Sequence, residues 1–462
     1  MEMAGLPGNG WRGFFVVLWY VASSTKGGFT AGKNMDVTGS EALVDVDHQQ
    51  GGECMKPKSL VIGSLALWLL GSAAAALALT PIEQLGKDIF FDDTLSVNGN
   101  QSCAACHDPS AGWTGPVSAV NGAGAVYEGS IPGRFGDRKP PSSAYATPSP
   151  ILHYVIEKKE ALFIGGNFWD GRATGERLGS PAAEQALGPF LNPLEQALDL
   201  PADVVAKVCA GSYGDLFRQV WGDTICDLDN VPVAYDSIGL SIAAFEASSE
   251  SNAYTSKYDY YLKGMVALTK EEKKGLNLFK SKGKCSKCHV LDDGPNGEPP
   301  LLTDFTYDNL GVPRNPDNPF YEQDVFNPSG YKWIDNGLGG FLMTRADYLS
   351  YGAANIGKQK VPTLRNVDKR PSDDFIKAYG HNGYFKSLKG IVHFYNTRDA
   401  KPACADAFTT EYDAMDQGCW PVAEIPVNVN RTELGNLHLT EDQEDAIVAF
   451  LKTLSDGYQL NP

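Results

Sequence analysis

Positive charge and long apolar runs are both scarce in this chain. Its 39 Lys and Arg stand against 56 Asp and Glu, a formal net charge of -17. That deficit excludes nucleic-acid binding, which needs clustered cations to neutralise phosphates, while leaving room for a basic partner that docks by charge. The apolar stretch Phe14 to Ala22 is too short to cross a bilayer, which takes roughly 20 residues. Hydrophobic content is ordinary at 43%, with 21% charged, so disordered and fibrous classes do not fit, and 462 residues leave room for two domains.

Residues 55 to 78 begin Met-Lys-Pro-Lys, continue through an apolar run from Leu60 to Leu70 and end Ala76-Leu77-Ala78. These are the three regions of a secretory signal peptide, with cleavage expected after Ala78. The signal sits far inside the chain. This favours translation from Met55, with residues 1–54 an N-terminal extension or a mis-called start. The product is expected in the periplasm, with no stable membrane insertion once the signal is removed.

Export suits the cysteines, because the expected mature chain keeps all of them but Cys54. Cys103-Ala-Ala-Cys106-His107 and Cys285-Ser-Lys-Cys288-His289 each offer two thiols to bond a porphyrin and an adjacent imidazole to ligate its iron. Structural zinc would want further Cys or His nearby, and a redox dithiol has no use for the histidine, so two covalently bound haem c groups are expected. Cys209, Cys226, Cys404 and Cys419 remain as two local pairs. Disulfides Cys209–Cys226 and Cys404–Cys419 are expected, although sequence does not settle the connectivity.

Each haem motif follows the same helix start: Thr80-Pro-Ile-Glu83 and Thr269-Lys-Glu-Glu272 are both capping boxes, and Gly86 and Phe90 recur as Gly275 and Phe279. Each half also closes on an amphipathic helix, one carrying Ile238, Ile242 and Phe245, the other Ile447, Leu451 and Leu454 behind a cap at Thr440. The first and last helices of each half should pack together. Residues 111 to 150 and 290 to 360 are rich in Gly, Pro and Asn and lose periodicity, as loops wrapped around a cofactor would. The expected fold is mainly α: two cytochrome-c-like haem domains with long ordered loops, spanning 79–262 and 263–462.

The stretches Phe168-Trp169-Asp170-Gly171-Arg172-Ala173, Gln185-Ala186-Leu187-Gly188-Pro189 and Asn192-Pro193-Leu194-Glu195 resemble the bacterial diheme cytochrome c peroxidase and MauG family. So do Val361-Pro-Thr-Leu-Arg365-Asn366 and Gly380-His381-Asn382-Gly383, and the likeness runs from Leu79 to the end. The resemblance implies a first haem, held by His107, that reacts with hydrogen peroxide, and a second, held by His289, that relays or stores oxidising equivalents. Trp169 would lie between them, with Gln185, Pro189 and Glu195 on the open face of the first. A carboxylate there suits the chemistry, since peroxide must lose a proton and regain it on its distal oxygen before the O–O bond breaks.

Peroxidase-branch members carry a second ligating histidine shortly after the first motif, but Ser110 to Pro150 contains no histidine. The first haem should then rest five-coordinate, as in the MauG branch. His153, in the apolar run Ile151 to Ile156, reads as a packed structural residue. For the second iron, the family places its sixth ligand fourteen residues after the H-x-G histidine, methionine in the peroxidase branch and tyrosine in MauG; counting from His381 gives Tyr395. Tyrosinate stabilises higher oxidation states, whereas thioether favours reduced iron. His393 lies about 200° around the helix from Tyr395 and cannot address the same iron, and Met343 and Met415 are remote. Arg365 and His381 would pair with propionates of the second haem.

Two departures stand out. Family members often bind calcium between the haems through an asparagine side chain and two carbonyls, and these positions are Lys139, Ile376 and Ala378 here; the carbonyls could still ligate but Lys139 cannot, which leaves calcium open. Gly283 replaces a tryptophan by which MauG oxidises its protein substrate, so an exit through Tyr321, Tyr331 and Trp333 is the alternative. The first reading is a MauG-like enzyme that uses peroxide to oxidise a protein substrate or external donor. Its rivals are a scavenging peroxidase drawing electrons from a small redox protein, cytochrome c or cupredoxin, and a non-catalytic diheme electron carrier.

Overall fold

The computed structural model of the chain describes residues 78–157, 160–294 and 297–460. The extension and the signal segment up to Leu77 lie outside these residues. No described helix is long and apolar enough to cross a membrane.

The architecture is mainly helical, with two hydrophobic cores built on the same plan. In the first, α1 (Pro81–Phe91) starts where Glu83 accepts the Thr80 backbone N–H at 2.7 Å. After α2 (Pro181–Leu191), this half closes with α3 (Val231–Ala247). In the second, α4 (Lys270–Lys280) starts on the matching bond from Thr269 N–H to Glu272, also 2.7 Å. It is followed by α5 (Leu388–Thr397) and closed by α6 (Glu441–Lys452), capped at Thr440.

The paired glycines explain how first and last helices meet. Gly86 abuts the Ser241 carbonyl of α3, and Gly275 abuts the Ala446 carbonyl of α6. Only a residue without Cβ lets the two backbones approach so closely. Around these crossings Phe90 packs edge-on against Phe245 at 5.5 Å, and Phe279 against Phe450 at 5.2 Å. Ile238, Ile242, Ile447 and Leu451 are buried as expected; Leu454 is buried too, although α6 ends at Lys452.

The two cores are stitched together by buried polar contacts. Asp456, near the C-terminus, accepts from Tyr145 Oη (2.7 Å) and the Thr255 N–H (2.9 Å). Arg365 lies over the rings of Tyr145 and Tyr254 at 4.9 and 4.5 Å. Both expected disulfides are present, Cys209–Cys226 and Cys404–Cys419.

The run Ile151 to Ile156 differs from its expectation. Within it only Leu152 is packed, beside Phe163 and Tyr307: His153 to Glu157 form β1, antiparallel to β2 (Glu160–Ile164), and His153, Tyr154, Val155 and Ile156 are all exposed. The β-branched residues find their partner in a hairpin resting on Tyr348 and Tyr351 instead of in a core. His153 turns its Nδ1 to the Ile151 carbonyl, 2.8 Å away, and lines neither cavity. A second short ladder pairs β3 (Tyr307–Asp308) with β4 (Gln359–Lys360).

Candidate active site with two cavities

Each Cys-x-x-Cys-His motif opens as one 3₁₀ turn, Cys103–Ala105 and Cys285–Lys287; the second presents both thiols and His289 to one cavity, whereas the first presents His107 to the other and keeps Cys103 and Cys106 out of its wall. All four cysteines are free thiols. Burial pushes the thiols of Cys106, Cys285 and Cys288 up to about 12, which favours the protonated form. The histidines are oriented alike: His107 Nδ1 faces the Trp113 carbonyl (3.3 Å), and His289 Nδ1 faces the Leu302 carbonyl (2.9 Å). A carbonyl can only accept, so each Nδ1 carries the proton and each Nε2 is left with a lone pair for iron. Burial, the dominant cause, also lowers both imidazoles and keeps them neutral.

The larger cavity is walled by His289, Cys285, Cys288, Tyr395, Arg365 and His381, among others. The smaller holds His107, Gln185, Phe168 and Glu246. Trp169 lines both. Its indole N–H donates to the Lys139 carbonyl (2.8 Å), its own carbonyl accepts from Lys360 N–H (2.8 Å), and its ring meets His381 edge-on at 6.4 Å. The neighbouring Asp170 accepts from Arg138 (2.6 Å), which also grips Asp335 through two bonds of 2.6 Å. Arg138 holds the carboxyls of Asp170 and Asp335 below the usual range despite their burial.

Tyr395 projects from α5 into the larger cavity, and its phenol has no hydrogen-bond partner among the described residues. Burial first, then the neighbouring Cys285 and Cys288, pushes it well above the ordinary phenol value, so a tyrosinate here requires a metal to displace the proton. His393 is turned elsewhere, its Nδ1 2.9 Å from the buried Glu444. Met343 and Met415 are exposed and line neither cavity.

Gln185 reaches the smaller cavity from α2, and Pro189 follows one helical turn later. Glu195 is half-buried and does not line that cavity in common with Gln185, but its charge acts on both Cys103 and Cys106. Loss of water pushes its carboxyl above the usual range, against the opposing pull of Arg172 and Asn192.

Arg365 and His381 both reach the larger cavity but differ in what they have to offer. Arg365 already forks onto Asp259 (2.9 and 3.1 Å) and donates to the Pro300 carbonyl. His381 Nε2 is buried with no hydrogen-bond partner, its nearest carboxylates being Glu424 at 3.7 Å and Asp335 at 3.9 Å. An orphaned imidazole nitrogen and an unpartnered phenol beside two free thiols fit a haem whose propionate and iron would satisfy them.

Several functional candidates were not visible in sequence. Glu246, 3% exposed on α3, lines the smaller cavity with no ion-pair partner among the described residues, and burial raises its carboxyl to about 8. Lys139, Lys360 and Lys377 line the larger cavity, each bonded to neutral oxygens. Burial lowers Lys139 and Lys360 to about 7 and Lys377 further, so a cofactor carboxylate nearby would hold them charged. Each stands close in sequence to other charged residues, Asp137 and Arg138, Lys358, and Asp373 and Asp374, so nothing local marks Lys360 or Lys377 as buried, and Lys139 stood out only as a departure from the family pattern. Tyr321, Tyr331 and Trp333 do cluster, with ring centroids 5.2 Å apart for the tyrosines and 6.3 Å from Tyr321 to Trp333.

Residues 81–267 match the family model described as di-haem cytochrome c peroxidase. The methylamine utilization protein MauG of Paracoccus denitrificans is 31% identical over 408 residues, covering 87% of this chain and 95% of that protein. The cytochrome c551 peroxidase of Nitrosomonas europaea is 29% identical over 385 residues, 82% of each. Among solved structures, the diheme peroxidase BthA from Burkholderia thailandensis superposes with a TM-score of 0.67 at 29% identity, covering 83% of this chain and 88% of that one.

Proposed function

Because the chain belongs to the di-haem cytochrome c peroxidase and MauG family and is a peroxidase-type oxidoreductase, we propose that it works as the MauG-like branch does, with two coupled haems oxidising a protein or external donor at the expense of hydrogen peroxide. The observation that carries this reading is the placement of Trp169 in the wall common to both cavities, each of which holds one Cys-x-x-Cys-His histidine.

Residues 79–262 and 263–462 form two cytochrome-c-like domains in this reading, each with a haem thioether-linked to its cysteine pair and ligated by His107 or His289. Bound haem supplies the iron redox chemistry with peroxide. The chain supplies orientation and protons. Glu195, whose carboxyl burial makes more basic, would accept the proton that peroxide loses and return it to the oxygen that leaves. The Gln185 amide, on the wall of the smaller cavity, orients peroxide by hydrogen bonding, and Pro189, inside the same helix, leaves the Gln185 carbonyl without its usual N–H donor. Trp169 is fixed at its N–H, its carbonyl and its ring edge, so it couples the two sites with little reorganisation.

Tyr395 would ligate the second iron, with the unpartnered phenol as support, and His381 would hold a propionate. Residence in the periplasm agrees with the two disulfides, which persist in oxidising compartments. A small redox protein or an oxidisable protein is the partner, and the acidic surface favours a basic face on it.

Electron paramagnetic resonance of the ferric holoprotein tests this directly. One high-spin and one low-spin haem, with rapid spectral change on stoichiometric peroxide, are expected. A methionine-ligated, high-potential second haem would point to a scavenger, and two fully ligated haems indifferent to peroxide would leave only an electron carrier.

A further inference from the structure

In the wall of the larger cavity, against segments of the first half of the chain, two buried ammonium groups have no carboxylate bonded to them among the described residues. Lys139, 7% exposed, donates from Nζ to Thr114 Oγ1 and the Pro140 carbonyl, both at 2.8 Å. Lys377, 5% exposed, donates to the carbonyls of Ala111 (2.8 Å), Asn366 (2.7 Å) and Lys369 (2.9 Å). Three neutral oxygens converging on a positive centre is the arrangement a hard cation would take from backbone carbonyls. Here the chain fills it with its own side chain.

The residues do not fit the divalent cation that the resemblance implies. Lys139 brings positive charge to the position that would need a neutral oxygen donor. The Ile376 carbonyl already accepts from Asn121 Nδ2 at 3.1 Å. Among the described residues, the one grouping of His, Cys, Asp and Glu close enough to hold a metal is Cys288, Asp308 and Glu433, and it belongs to the second haem cavity.

We propose that Lys139 and Lys377 are the resident cations of the bridge between the haem sites, so that this enzyme requires no calcium, and that Lys139 is the positioning residue that ties both sites to Trp169. The contacts of Lys139 run in three directions. Its carbonyl accepts the Trp169 indole N–H, and its N–H donates to the His381 carbonyl at 2.8 Å. Its ammonium holds Thr114, the residue after the Trp113 whose carbonyl orients His107. A bound ion can be stripped from such a junction. A tethered ammonium cannot.

The inference rests on the two-haem reading, and haem content measured on the same sample separates the failure of one from the failure of the other. The holoprotein is dialysed against EDTA, desalted, and analysed for calcium by mass spectrometry, with absorbance and paramagnetic resonance spectra taken before and after calcium is added back. Well under one calcium per chain, and spectra unmoved by chelator or calcium, are expected. Stoichiometric calcium whose removal alters the spectra overturns the proposal. Separately, Lys139→Met with both haems retained should move the midpoint potential of the second haem downward, because a nearby positive charge favours the reduced iron, while Lys139→Arg should stay close to the parent. Unchanged midpoints in Lys139→Met also overturn it.

Discussion

Gly275→Ala adds one methyl group where α4 crosses α6. Built on the present backbone, it would lie 2.6 Å from the carbonyl carbon of Ala446 and 2.9 Å from Phe450 Cβ, and closer still to the Ala446 oxygen. Non-bonded carbons rest at about 3.5 Å or more, so the helices must separate by about 1 Å. The surrounding residues have no slack to absorb this: Leu276, Phe279, Ile447 and Phe450 are buried around the crossing, and the obstructing atoms are backbone and a Cβ rather than a flexible side-chain end. Overpacking of this kind costs ~3 kcal/mol, at the upper end of its usual range. Alanine returns ~1 kcal/mol through its better helix propensity. The net loss of ~2 kcal/mol corresponds to a fall in melting temperature of roughly 2–3 °C for the single compact unit of about 390 residues. Thermal unfolding followed by circular dichroism measures it, and the haem absorbance should show the second site disturbed before the first. Gly86→Ala, against Ser241, should show the reverse order. A melting temperature equal to or above the parent's would refute the account of these crossings.

Three further outcomes follow from the site. Glu246→Gln should relieve an alkaline penalty: with its pKa raised from 4.5 to about 8 in the fold, the parent loses stability as pH rises from 4.5 to 8, by up to roughly 5 kcal/mol, and the amide does not. Melting curves of the two proteins at pH 5 and pH 8.5 should therefore diverge in favour of Gln, and parallel curves would count against a neutral buried Glu246. Glu195→Gln should slow the reaction with peroxide by roughly 10²–10⁴-fold in stopped-flow mixing while leaving the resting ferric spectra intact; an unchanged rate removes Glu195 from proton transfer. Tyr395→Met should raise the midpoint of the second haem in a spectroelectrochemical titration and change its low-spin resonance, and identical signals in parent and variant would exclude Tyr395 as a ligand.

What could be read from the sequence was whatever is encoded locally. Thr80 with Glu83 and Thr269 with Glu272 announce helix starts within four residues, and the haem motifs are five residues long. The matched Gly86 and Gly275 disclosed the helix crossings because a duplicated frame repeats its constraints at fixed offsets. Contacts between distant segments were silent. Nothing near Arg365 signals that Asp259, over a hundred residues earlier, occupies its guanidinium, and nothing near Lys377 reveals the three carbonyls around its ammonium. The exposed hairpin at His153 to Ile164 misled for a related reason: a short apolar run reads the same whether it faces a core or lies across a few surface tyrosines.

The stitching of the two halves through Asp456 and Arg365 bears on any effort to make a miniature of this protein. Cutting the chain between its halves would strand the Tyr145 hydroxyl without its acceptor and leave the rings of Tyr145 and Tyr254 without the guanidinium that covers them. A single-haem fragment would begin life with a wet, partly charged scar where a seam had been. The ancestral unit, if it once stood alone, is no longer recoverable by simple excision, and separating the two redox sites will require redesigning that seam first.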